Sequence, residues 1–100
     1  IFQPHTYTRT KSLFDEFVEA LTLTDHVILA DIYAARETDT LGISSKDVAD
    51  ALIEKGCDAY YFPSFEEIED FCMERCQKGD LLITMGAGDV VNIGEELLKR

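Results

Sequence analysis

An alternation, met four times along the chain, of a short apolar run and a longer amphipathic segment limits most what this sequence can fold into. Ile1 and Phe2 read as the end of a buried strand. Past a polar stretch, Leu13, Phe14, Phe17, Val18 and Leu21 recur at helical spacing, with Asp15, Glu16 and Glu19 between them. His26 to Ile32 is an apolar run of strand length, too short for a helix of its own. A polar loop from Tyr33 to Ile43 follows. Ser44 or Ser45 then caps a helix whose apolar face is Val48, Ala49, Leu52 and Ile53, and which stops at Gly56. Ala59 to Phe62 is a third strand, ended by Pro63. Ser64 and Glu67 have the spacing of a capping box, opening a helix with Phe65, Ile68, Phe71 and Cys72 inward and Gly79 as its stop. Leu81 to Met85 is the fourth strand. After Gly86 to Asp89, a last helix carries Val90, Ile93 and Leu97 on one face.

Such alternation requires crossover connections, and hence an α/β fold: a Rossmann-like three-layer domain with a mainly parallel sheet between helices. The 100 residues suffice for one domain. The chain opens without Met and in mid-strand, so it is expected to be a piece of a longer polypeptide, with a sheet truncated at its N-terminus. In a parallel sheet all strand-to-helix loops leave at one edge, the carboxyl edge, where ligands bind in open α/β folds. Those loops are Gln3 to Thr10, Tyr33 to Ile43, Pro63 with Ser64, and Gly86 to Asp89.

The charge balance narrows the ligands. Twenty Asp and Glu face nine Lys and Arg, a formal net charge of −11, which argues against nucleic acid and against an anionic membrane surface. An anion would need a local cluster of donors. No apolar run has transmembrane length and no signal peptide is recognisable. The three cysteines lack a Cys-x-x-Cys pair; Cys72 and Cys76 lie four apart with no histidine near, and read as reduced packing residues of a cytoplasmic protein.

Three of the four loops carry unusual polar or glycine chemistry. In "FQPHTYTRT", His5 and Arg9 stand just before a helix start, where an arginine fork and free backbone N–H groups suit a carboxylate or phosphate. The same residues also fit a surface ion pair and a strand end. The segment from Asp31 through Tyr33 and Arg36 to Glu37 can hold an ammonium and a carboxylate together, or can be a solvated charged loop. In the last loop, Gly86 and Gly88 permit close backbone approach, and Asp89 can cap the helix or accept from an ammonium. This is not a dinucleotide fingerprint, because its third glycine would fall at Val91; a Walker phosphate loop is also absent.

Taken together, "FQPHTYTRT", "DIYAARE", "GISSKDVADAL" and "GDLLITMGAGD" resemble, in order and spacing, the C-terminal domain of the Mur ligases of peptidoglycan synthesis. Within that family the resemblance is to the members that take L-alanine. The murein-peptide recycling ligases, an alternative, carry Arg-Ser and Met-Lys pairs where this chain has His5-Thr6 and Thr8-Arg9. A non-catalytic α/β binding module is the other alternative.

The resemblance implies an enzyme of three domains in which this one closes over a central ATP-binding domain. It implies that ATP phosphorylates the lactyl carboxylate of UDP-N-acetylmuramate and that the amine of L-alanine attacks the acyl phosphate. ATP and Mg would be held mainly by the central domain, outside this chain, and no cofactor or metal by this piece alone. The same resemblance implies substrate-binding roles for His5, Arg9, Asp31, Tyr33, Glu37, Gly86, Gly88 and Asp89, and no catalytic residue. Where many relatives have Arg after the histidine this chain has Thr6, and where they have Gly it has Arg36.

Overall fold

The computed structural model describes residues 1–86 and 88–99. In chain order the elements are α1 (Tyr7–Ser12), α2 (Phe14–Leu21), β1 (His26–Leu29), α3 (Ser45–Glu54), β2 (Asp58–Tyr61), α4 (Phe65–Arg75) and α5 (Val91–Lys99). β1 and β2 pair in parallel, His26 opposite Asp58 through Leu29 opposite Tyr61. Phe2 forms parallel bridges to Leu29 on one side and Met85 on the other. One row therefore runs Met85, Phe2, Leu29, Tyr61 across four parallel segments, and the opening residues lie inside the sheet.

The period-2 pattern of the strands sorts side chains onto two faces. Val27, Leu29 and Ala59 join Val18 and Leu21 of α2 and Val48, Ala49 and Leu52 of α3 in one cluster, with Phe2 against it. Ile28 and Ala30 turn the other way, to Ile68 and Cys72 of α4 and to Val90 and Ile93 at α5, with Ile1 and Tyr60 alongside. The result is the expected three-layer α/β arrangement. Leu29, Leu52, Val48, Ile68 and Ile93 are fully buried. Each such side chain contributes about 1.5–3 kcal/mol through removal from water.

Local signals set most boundaries. Ser44 is the cap of α3 and forms a reciprocal capping box with Asp47. The Ser64 hydroxyl accepts the Glu67 N–H at 3.2 Å and opens α4. Gly56, at φ 85°, turns the chain out of α3 in a conformation that penalises any Cβ.

Four expectations are corrected. Only β1 and β2 make a continuous ladder; the first and fourth strands are reduced to single bridges. The first segment reaches Pro4, which has no N–H to donate, after three residues, too few for a ladder. The helix predicted from Leu13 is α2, but the stretch read as a loop from Gln3 to Thr10 holds a further helix, α1, from Tyr7, which Leu13, at φ −110° and ψ 20°, separates from α2. Gly79 does not stop α4, which ends at Arg75. The last helix begins at Val91, after a turn through Asp89 and Val90.

Candidate functional site

The carboxyl ends of the four parallel segments come together, as the alternation requires. His5 bridges Tyr33 in parallel, so the first segment still runs beside the chain that leaves β1 beyond Leu29. The Thr6 N–H donates to the Tyr33 carbonyl at 2.7 Å and the Tyr33 N–H to the Pro4 carbonyl at 2.8 Å. The His5 and Tyr33 rings stack, with centroids 5.5 Å apart and planes 17° apart. Gly88 closes against this stack: a Cβ there would lie 2.7 Å from Tyr33 Cδ2 and 3.1 Å from Gln3 Oε1. A Cβ at Gly86 would lie 2.7 Å from Val90 Cγ1 and 3.2 Å from the Gln3 carbonyl oxygen. Both glycines are thus needed for close approach, with no demand for positive φ. Between them, Ala87 lies outside the described residues.

The start of α1 holds the most notable contacts. The Tyr7 N–H donates to Glu37 Oε1, and the Thr8 N–H reaches both carboxylate oxygens, at 3.2 and 3.3 Å. The Thr8 hydroxyl donates to Glu37 Oε2. The Thr6 hydroxyl accepts the Arg9 N–H at 3.2 Å. The amides that the sequence pattern offers to an anion are therefore already met by Glu37, 30 residues from Tyr7, and by the Thr6 cap. The Thr8 hydroxyl, with the Thr8 and Tyr7 amides after it, holds the Glu37 carboxyl below its ordinary range.

Thr6 adopts φ 64° and ψ 148°, a region that a β-branched residue avoids. It is pinned from several sides. Besides its amide and hydroxyl bonds, its carbonyl accepts the Thr10 N–H at 3.2 Å and the Thr10 hydroxyl at 2.7 Å.

The remaining expected residues divide. Arg9 lies within α1 rather than ahead of it, is exposed, and takes part in none of the ion pairs among the described residues. The surface-pair reading of Arg9 has no support in this geometry. Asp31 turns toward β2, where Tyr61 donates its hydroxyl to Oδ1; that bond, with burial after it, pushes the Tyr61 phenol up to about 12. Asp89 is exposed, and its carbonyl accepts the Asn92 N–H at 2.9 Å as the turn enters α5. Arg36 lies exposed in a turn after Ala35, which has φ 56°.

Sequence reasoning passed over Gln3. It is 5% exposed, and its Oε1, like Nδ1 of His5, is buried with no hydrogen-bond partner among the described residues. The signal was a polar residue at a strand position whose alternation calls for an apolar one. The tie between Thr8 and Glu37 left no local trace. An open groove of about 640 Å³ lies at the opposite, amino edge, along Ile1, His26, Asp58, Arg75 and Ile83; it contains none of the expected residues.

Fold and edge define an α/β domain whose strand-to-helix loops gather at one carboxyl rim. The profile of the family described as Mur ligase, glutamate ligase domain matches residues 1–88, and the chain belongs to that family. It is 66% identical over 99 residues to a protein of Agathobacter rectalis named UDP-N-acetylmuramate–L-alanine ligase, covering 99% of this chain and 22% of that protein. Proteins of the same name from Lachnoclostridium phytofermentans and Lachnospira eligens are 61% and 58% identical, over 100% and 99% of this chain and 21% and 22% of theirs. The chain thus spans about a fifth of the length of these curated relatives. Among the described residues no helix is long and apolar enough to cross a membrane, and no group of three or more His, Cys, Asp or Glu could hold a metal ion.

Proposed function

We propose that residues 1–100 are the amino-acid-binding C-terminal domain of an ATP-dependent ligase that joins L-alanine to UDP-N-acetylmuramate in the cytoplasm. The observation that carries this reading is similarity along essentially the whole chain to proteins of that name. It is supported by the meeting of His5, Tyr33, Glu37, Gly86 and Gly88 at the rim expected to face substrate. Arg9, exposed and in no ion pair among the described residues, is available to a substrate carboxylate; Asp31 and Asp89 flank the same rim as acceptors for an ammonium group.

The chemistry assigned to this domain is placement. Joining an amine to an activated carboxyl is a two-substrate reaction, and holding the amine in line replaces a costly encounter with a local one. The described residues offer ATP neither a glycine-rich phosphate loop nor a carboxylate cluster for its magnesium. Both are assigned to the rest of the parent polypeptide, and no step passes through this chain's own binding of them.

The test is amino-acid-dependent phosphate release from ATP by the full-length protein, with UDP-N-acetylmuramate present. Release with L-alanine, together with the alanyl product by mass spectrometry, is expected. Turnover with a murein peptide and none with L-alanine would instead identify the recycling reaction.

A further inference from the structure

From the contacts that Glu37 makes, we infer that it is a positioning residue: it clamps the loop after β1 to the start of α1, so that the Tyr33 and Arg9 sides of the rim stay in register. This rests on the reading of the rim as the amino-acid side, and it separates the part played by Glu37 from direct contact with substrate.

Four observations support the clamp. The Glu37 carboxylate meets two backbone amides and one hydroxyl at the start of α1, which uses most of its accepting capacity within the protein. The residues it ties lie far apart in sequence, so the contact closes a long loop. That loop is otherwise lightly held. Its own contacts include the Glu37 N–H to the Ala34 carbonyl at 3.0 Å, the Leu41 N–H to Asp39 at 2.9 Å, and Lys11 Nζ to the Leu41 carbonyl at 3.3 Å. Loop and helix also share Thr6, whose amide is bound to Tyr33 and whose strained backbone opens α1. A residue so strained persists only where its neighbours over-determine it, and Glu37 supplies contacts to the two residues that follow.

The clamp has a signature that direct binding lacks. The Thr8 hydroxyl acts only through Glu37, so Glu37→Ala removes the whole clamp, whereas removing the hydroxyl leaves the two backbone amides on the carboxylate. In the full-length protein, Glu37→Ala should raise the KM for L-alanine about threefold to fivefold, as expected for an exposed charge-assisted contact, and Thr8→Val, which keeps the two amides, by less. The double variant should be no worse than the poorer single one. KM for ATP and for UDP-N-acetylmuramate should stay unchanged, a split that mere loss of folded protein would not produce. Thr8→Ser, which keeps the hydroxyl, should behave as wild type. Effects that multiply in the double variant would overturn the inference and make Glu37 an independent substrate contact. Failure of the wild-type protein to use L-alanine would sink the functional reading alone. In that event, amide exchange at Tyr7 and Thr8 still decides the clamp: it should quicken in Glu37→Ala, and unchanged exchange would refute it.

Discussion

Gly88→Ala tests whether the rim is built around the His5–Tyr33 stack. The added methyl would lie 2.7 Å from Cδ2 and 3.0 Å from Cγ of Tyr33, the near side of the ring, so a small shift at the ring's far end cannot relieve it. The Tyr33 backbone is held on both sides, by Pro4 and Thr6. The ring must therefore rotate, and it has room to, being 38% exposed. A side chain driven about 30° off its rotamer costs about 0.5–1.5 kcal/mol. Loss of a stacked ring pair costs about 0.5–1.5 kcal/mol more. The expected destabilisation is about 1–3 kcal/mol, within the usual range for overpacking. Denaturant unfolding of the single and double variants measures it, and ring-to-ring nuclear Overhauser effects between His5 and Tyr33 should vanish in Gly88→Ala. With Tyr33→Ala as background the clash has no partner ring, and Gly88→Ala should then cost well under 1 kcal/mol. An equal cost in both backgrounds would show that Gly88 is constrained by something else, and the reasoning from the stack would fall.

Further outcomes are expected. Tyr61 titrates near 12, raised from 10.0 by its bond to Asp31, so the stabilisation it brings is complete below pH 10 and lost as pH rises through 12. Ultraviolet titration should show this late tyrosine, and Asp31→Asn should return it toward 10. Glu37 moves the opposite way, below its ordinary 4.5, so its hold on α1 is complete above that value and lost as pH falls through the lowered one. Amide protection at Tyr7 and Thr8 should fade at that acid limit in wild type, and be absent throughout in Glu37→Ala. Residues 1–100 alone should release no phosphate from ATP above a buffer control, since they lack a phosphate loop.

Much of the fold was legible because it follows from period and punctuation. Val27 and Leu29 face α2 and α3 while Ile28 and Ala30 face α4 and α5, an alternation readable from the apolar run itself. The cap at Ser44 and the stop at Gly56 were equally local. The presence of α1 was not, because its start depends on Glu37 arriving from a distant loop. The grouping of His5, Tyr33 and Gly88 followed from parallel topology, since every strand end reaches the same edge. What topology could not convey was partnership. It offered the α1 amides to a ligand, where the fold places Glu37, and left Asp31 open, where the fold supplies Tyr61. Gln3, polar among apolar neighbours, was the one such signal visible in advance.

The central claim is that the rim bearing Arg9 receives the carboxylate of an amino acid, and steady-state kinetics of Arg9→Ala in the full-length protein test it most directly. A guanidinium–carboxylate contact is worth about 1.5–3 kcal/mol, so alanine use should fall about tenfold to a hundredfold. Arg9→Lys should recover only part of this, because lysine keeps the charge without the fork. The account predicts that the loss appears when L-alanine is varied, with KM for ATP and UDP-N-acetylmuramate unchanged. A raised KM for the UDP-sugar with an unchanged KM for L-alanine would contradict it and assign Arg9 to sugar-nucleotide or closure contacts.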